Sequence, residues 1–145
     1  MGLNLASLRS AVGTHGRVVR IVIVDHQGST PRETGTSMLV WPAGQSGTIG
    51  GGALELQAVE HARRITEPTA LKMPLGPALG QCCGGAVTLV LEPFTQDTLP
   101  DGADSYIRPV GTTTDKPLAL RRAEKSQRSS GQAAPLIWQQ GWLME

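Results

Sequence analysis

Arg17-Val18-Val19-Arg20-Ile21-Val22-Ile23-Val24-Asp25 is almost continuously β-branched. Strands buried on one face alternate apolar and polar residues, whereas this run offers hydrocarbon to both sides, so it predicts an interior strand covered on two faces. Around it the pattern gives further elements. Leu5, Leu8 and Val12 recur at helical spacing before Gly13 and Gly16, which predicts a short amphipathic helix. Ser37–Trp41 reads as a second strand, with Ser46–Ile49 as its return after Gly44. From Ala53 to Thr66, Leu54, Ala58, Ala62 and Ile65 line one helical face, and Pro68 closes the segment. Ala86–Phe94 is a third strand, with Pro93 setting its end near an edge.

Beyond Phe94 the chain turns polar. Thr95–Ser105 and Lys125–Pro135 read as loops, Tyr106–Val110 and Leu118–Leu120 as short strands. Leu136-Ile137-Trp138 and Trp142-Leu143-Met144 flank Gln139-Gln140-Gly141 as a hairpin, its tryptophans in packing roles. The fold class expected is α+β: one domain in which a mixed or antiparallel sheet carries two main helices, those near Leu5 and Leu54. Residues 1–94 form its core and 95–145 an extension of the same domain.

The chain has 145 residues, 39% of them hydrophobic and 3% aromatic, which suits one aliphatic core. Thirteen basic and twelve acidic residues give a net charge of +1, and such a balance points away from nucleic acid and anionic membranes as partners. No apolar run approaches the ~20 residues of a membrane span.

Both cysteines stand together in Gly80-Gln81-Cys82-Cys83-Gly84-Gly85. Two adjacent thiols cannot staple distant loops, so they are either buried hydrophobes or a chemical site, and free thiols suit the cytoplasm. Arg32 or loop N–H groups would favour thiolate, a ligand for soft metal centres. Two more glycine segments accompany them: Gly28-Ser29-Thr30-Pro31-Arg32, and Gly47-Thr48-Ile49-Gly50-Gly51-Gly52, which leads into Leu54-Glu55. Glycines at a helix start expose N–H groups that can hold a phosphate, and equally make a plain turn. They form neither a Walker loop nor a dinucleotide fingerprint. Glu55 in the first turn complements the helix dipole, His61 reads as structural, and Arg32 is either a phosphate or pterin contact or a solvated side chain.

In this order the three segments resemble the N-terminal domain of the xanthine dehydrogenase accessory proteins, the XdhC/CoxI family. The resemblance covers roughly residues 20–94, and the family's C-terminal Rossmann-like domain has no counterpart in these residues. It implies a non-catalytic chaperone that binds the molybdenum cofactor (molybdopterin), protects it while a cysteine desulfurase supplies sulfur, and delivers it to apo xanthine dehydrogenase or a related molybdenum hydroxylase. A homodimer is implied as well. On the matching positions, cofactor contacts fall to Gly28, Ser29, Thr30, Arg32, Thr48, Gly50, Gly51, Gly52, Gln81, Cys82, Cys83 and Gly84, with Cys82 or Cys83 beside the metal. A competing reading is a thiol enzyme with one of these cysteines as nucleophile and His26 as base.

Overall fold

A computed structural model describes residues 3–28, 32–75, 85–102, 105–131 and 135–145. The elements run α1 (Leu5–His15), β1 (Val18–Gln27), β2 (Ser37–Trp41), β3 (Gly44–Gly47), α2 (Gly52–Ala62), β4 (Thr69–Pro74), β5 (Ala86–Phe94), β6 (Ile107–Pro109), α3 (Leu118–Ser130), β7 (Ile137–Gln139) and β8 (Trp142–Met144). A five-stranded sheet has the order β3-β2-β1-β5-β4 and a three-stranded sheet the order β6-β8-β7. All their pairings are antiparallel. The fold is α+β.

As its sequence requires, β1 lies at the centre of the larger sheet and is buried from Val18 to Val24. Val19, Ile21 and Ile23 join Leu89, Leu91, Leu54 and Ala58 in the main core, beneath α2. Val22 and Val24 face the other way and pack with Val90, Val110 and Leu143, under the smaller sheet. Lower on that second face, Leu8 and Val12 of α1 cover Val18 and Phe94. The C-terminal extension is therefore the second cover of β1.

Several elements depart from the reading of the sequence. The second helix stops at Ala62 rather than Thr66, because Arg64 and Ile65 both turn back to the His61 carbonyl and the Arg17 guanidinium takes the released Ile65 carbonyl. Thr69–Pro74, assigned to no element, is the edge strand β4. Pro93 lies past the point where β4 begins at Thr69, opposite Leu91, so that flank of an otherwise interior strand is locally an edge. The segment 118–130, read as a short strand and a loop, is the third helix among the described residues. Its buried stripe consists of Leu120 and Gln127, seven apart, and a stripe half made of glutamine gives no apolar periodicity. The C-terminal hairpin forms as expected, with positive φ at Gln140 and Gly141, the geometry that matches strand twist in a two-residue turn.

Candidate cofactor-binding loops

Antiparallel register brings the described stems of all three glycine segments to one end of the larger sheet. Gln27, last in β1, stands opposite Ala86, first in β5, and Pro74, last in β4, also stands opposite Ala86. β2 starts at Ser37, opposite Val22, and β3 returns toward the same end, with Gly47 opposite Met38. The connections after β1, β3 and β4 thus leave in one direction. Because β1 and β5 are neighbours, the stems of the first and third segments stand one strand spacing apart, about 5 Å. Ile49 and Leu54, which bracket the three glycines of the middle segment, share the main core with Leu75 and Val87 at the mouth of the third.

The stems are tied by backbone. The Leu75 amide donates to the Gly85 carbonyl at 2.7 Å, and the Gly35 amide to the Ile23 carbonyl at 2.7 Å. Gly85 has φ of 121°, and a Cβ there would lie 2.4 Å from the Gln27 carbonyl oxygen. Its glycine is needed for the close approach of β1 and β5.

Gly50, Gly51 and Gly52 have φ of 126°, 74° and 66°. No described residue lies within 4 Å of the Cβ positions of Gly51 and Gly52, so these glycines are set by backbone conformation and open space adjoins them among the described residues. Glu55, however, reaches back into the turn. Its Oε1 accepts from Thr48 Oγ1 at 2.5 Å, from the Ile49 amide at 3.0 Å and from the Gly51 amide at 3.2 Å, while Gln45 Nε2 approaches Oε2 at 3.4 Å. Thr48 Oγ1 in turn accepts from the Gly50 amide at 3.0 Å. Partial burial works against the charge, but these hydrogen bonds outweigh it and hold the Glu55 carboxyl below its ordinary pKa. The residue expected to complement the helix dipole is thus also an internal anion for the glycine turn. A phosphate using the Ile49 and Gly51 amides has to displace that carboxylate.

β1 carries a bulge between Ile23 and Asp25. The extra residue shifts the alternation, so that His26 pairs with Val87 and falls on the sheet face covered by α2, while Asp25 pairs with Thr88 on the other. His26 is exposed beside the first and third stems, and Arg32 is exposed in the β1–β2 connection. Gly28, at φ 73°, follows β1. Ser29, Thr30, Gln81, Cys82, Cys83 and Gly84 lie outside the described residues. His61 is exposed in the last turn of α2. Among the described residues no group of three or more His, Cys, Asp or Glu is placed to hold a metal ion, and no helix is long and apolar enough to cross a membrane.

Reading the sequence did not bring together a buried ion cluster between the two sheets. Arg20 and Glu92 are cross-strand partners on β1 and β5. Arg20 donates to both Glu145 oxygens, at 2.6 and 2.8 Å. Arg108 donates to Glu145 Oε2 at 2.8 Å and to Glu92 through Nε at 3.0 Å and through Nη2, and its guanidinium stacks 4.2 Å from the Tyr106 ring centroid. Burial opposes charge on Arg108 and Glu145, yet their partners prevail: the Arg108 pKa is raised, and Arg20 and Arg108 hold that of Glu145 down. Arg20 and Glu92, opposite each other in the β1–β5 ladder, point to the second face once the strands are paired, but the partners from 108 and 145 are too remote in sequence to be inferred.

A glycine-looped α+β domain of this kind has known counterparts. Residues 11–71 match the model of the XdhC and CoxI family, the family that the resemblance named. A solved structure described as a xanthine dehydrogenase from Bacillus halodurans is similar, with a TM-score of 0.56 and 28% identity over 64% of this chain. The match covers 30% of that protein's length. No curated protein matches the sequence.

Proposed function

We propose that this protein is a non-catalytic accessory factor in the maturation of xanthine dehydrogenase or a related molybdenum hydroxylase, and that it holds the molybdenum cofactor while a cysteine desulfurase sulfurates it. The observation that carries this is that the strand ends leading into all three motif segments lie at one end of the sheet. The family match over residues 11–71 and the solved structure described as a xanthine dehydrogenase support the same reading.

The cofactor combines a phosphate, a pterin and a dithiolene-bound molybdenum, and the metal centre supplies the soft, sulfur-accepting chemistry. The segments of this chain divide along those lines. Open space beside Gly51 and Gly52 admits a phosphate once Glu55 swings away. Arg32 and Gln81 offer planar donors for pterin or oxo groups. Gly28, Ser29, Thr30, Thr48, Gly50 and Gly84 complete the cradle, and Cys82 or Cys83 gives a thiolate beside the metal. The protein acts in the cytoplasm, as a homodimer.

The test is co-expression in a host that makes the cofactor, followed by assay of molybdenum and pterin in the purified protein. Wild type retains both, and Cys82→Ser/Cys83→Ser loses most of the metal. Equal cofactor in the double variant overturns the thiol role. The bulge that turns His26 to the α2 face at this end of the sheet favours a second reading, a thiol enzyme with His26 as base. Its signature is a turnover that stoichiometric alkylation abolishes.

A further inference from the structure

The two faces of α3 differ in kind. Leu120 and Gln127 are its buried residues. At about 100° per residue, Leu118, Arg121, Arg122 and Lys125 fall on a single stripe opposite them, roughly 100° wide. All four are exposed, and Leu118, at 60%, is one of two large hydrophobic residues among the described residues with most of their surface in water.

The stripe is also where the positive charge of the molecule is gathered. Residues 116–128 contain five basic residues and one acid, a balance of +4, while the remaining eight basic and eleven acidic residues give −3, which restores the overall +1. That single acid, Glu124, lies off the stripe, where Lys116 at 3.3 Å and Arg128 at 2.7 Å bind it. The charge of Arg121, Arg122 and Lys125 is therefore not offset from within the segment. A solvated helix face needs neither this concentration nor an exposed leucine at the head of the stripe.

We infer that the Leu118–Arg121–Arg122–Lys125 face of α3 docks an acidic protein surface, one that sets carboxylates beside a shallow apolar pocket for Leu118. The inference rests on the proposed function in one respect: the partner it assigns to this face is the acceptor enzyme. Exposed charges of this sort steer encounter and select partners, and an adjoining apolar contact slows release.

The experiment measures binding of purified, cofactor-loaded protein to an apo xanthine dehydrogenase from the source organism, by interferometry at low and high salt. Parallel arms use phosphatidylserine vesicles, duplex DNA and a second copy of this chain. Arg121→Glu/Arg122→Glu/Lys125→Glu is expected to weaken binding by about 30-fold or more and to abolish its salt dependence. Leu118→Ser is expected to weaken it by about fivefold with the salt dependence kept. Bound cofactor and Tm stay at wild-type values, and the milder Arg121→Gln/Arg122→Gln/Lys125→Gln variant guards against disruption of the helix by charge reversal. Wild-type protein that does not bind the acceptor, or variants that bind it as wild type does, overturn the inference. So does a preference for vesicles, DNA or the second copy. Docking that depends on α3 in protein unable to retain cofactor defeats the proposed function alone, and retained cofactor with docking indifferent to α3 defeats this inference alone.

Discussion

Replacing Glu145 by glutamine keeps the shape of the inter-sheet cluster and removes one buried charge. The carboxylate has no side-chain exposure and accepts three hydrogen bonds, two from Arg20 and one from Arg108. Without it, two buried guanidinium groups share the single negative charge of Glu92. Removing one partner of a buried ion pair costs about 3–5 kcal/mol, since the remaining charge stays desolvated. At an effective dielectric of roughly 20, each lost attraction at about 4 Å is itself on the order of 4 kcal/mol, which agrees in scale. Against the roughly 5–15 kcal/mol of a typical domain this is a large fraction, and in a chain of this size it lowers Tm by on the order of 10 °C. The assay is urea unfolding of wild type and Glu145→Gln across pH. Since the native pKa of Glu145 is depressed, its stabilisation is complete above the unfolded value of about 4.3 and is lost as pH falls through the native one. The gap between the two proteins should therefore be constant above about pH 5 and close in acid. A gap below about 1 kcal/mol at pH 7, or one indifferent to acid, refutes the assignment of a buried, ionised cluster.

Glu55→Gln weakens the internal anion of the glycine turn: stability should fall by about 1 kcal/mol, as for lost helix caps, while affinity for inorganic phosphate rises because the competing carboxylate is gone. Isothermal titration checks the second half, and unchanged or weaker phosphate binding would sink the idea that Glu55 guards those amides. The Glu55 contribution to stability should also fade as pH drops through its lowered native pKa, so the Tm difference between wild type and variant narrows in acid. Gly85→Ala places a Cβ 2.4 Å from the Gln27 carbonyl at a φ of 121°, so the β1–β5 stem must part; a Tm within about 2 °C of wild type would show that the approach is not tight.

The central strand was plain in the sequence because Val18–Val24 has no polar side except Arg20, and a strand with two apolar faces must be interior. β2, β5, both N-terminal helices and the C-terminal hairpin followed from period and turn residues, which are local properties. β4 and α3 did not. The first is an edge strand between Pro68 and Pro74, and the second owes its burial to Leu120 and a glutamine, so neither writes its period in apolar residues. Of the candidate site, the sequence identified the three glycine segments, and pairing register alone decided that they leave one end of the sheet. The bulge that turns His26 to the α2 face, the Glu55 carboxylate seated among the Gly51 and Ile49 amides, and the union of Arg20, Glu92, Arg108 and Glu145 each depend on groups brought together by folding. Local pattern records what a residue prefers, whereas a buried charge is tolerated only where distant chain supplies its partner, and that partner exists only once the sheets have closed.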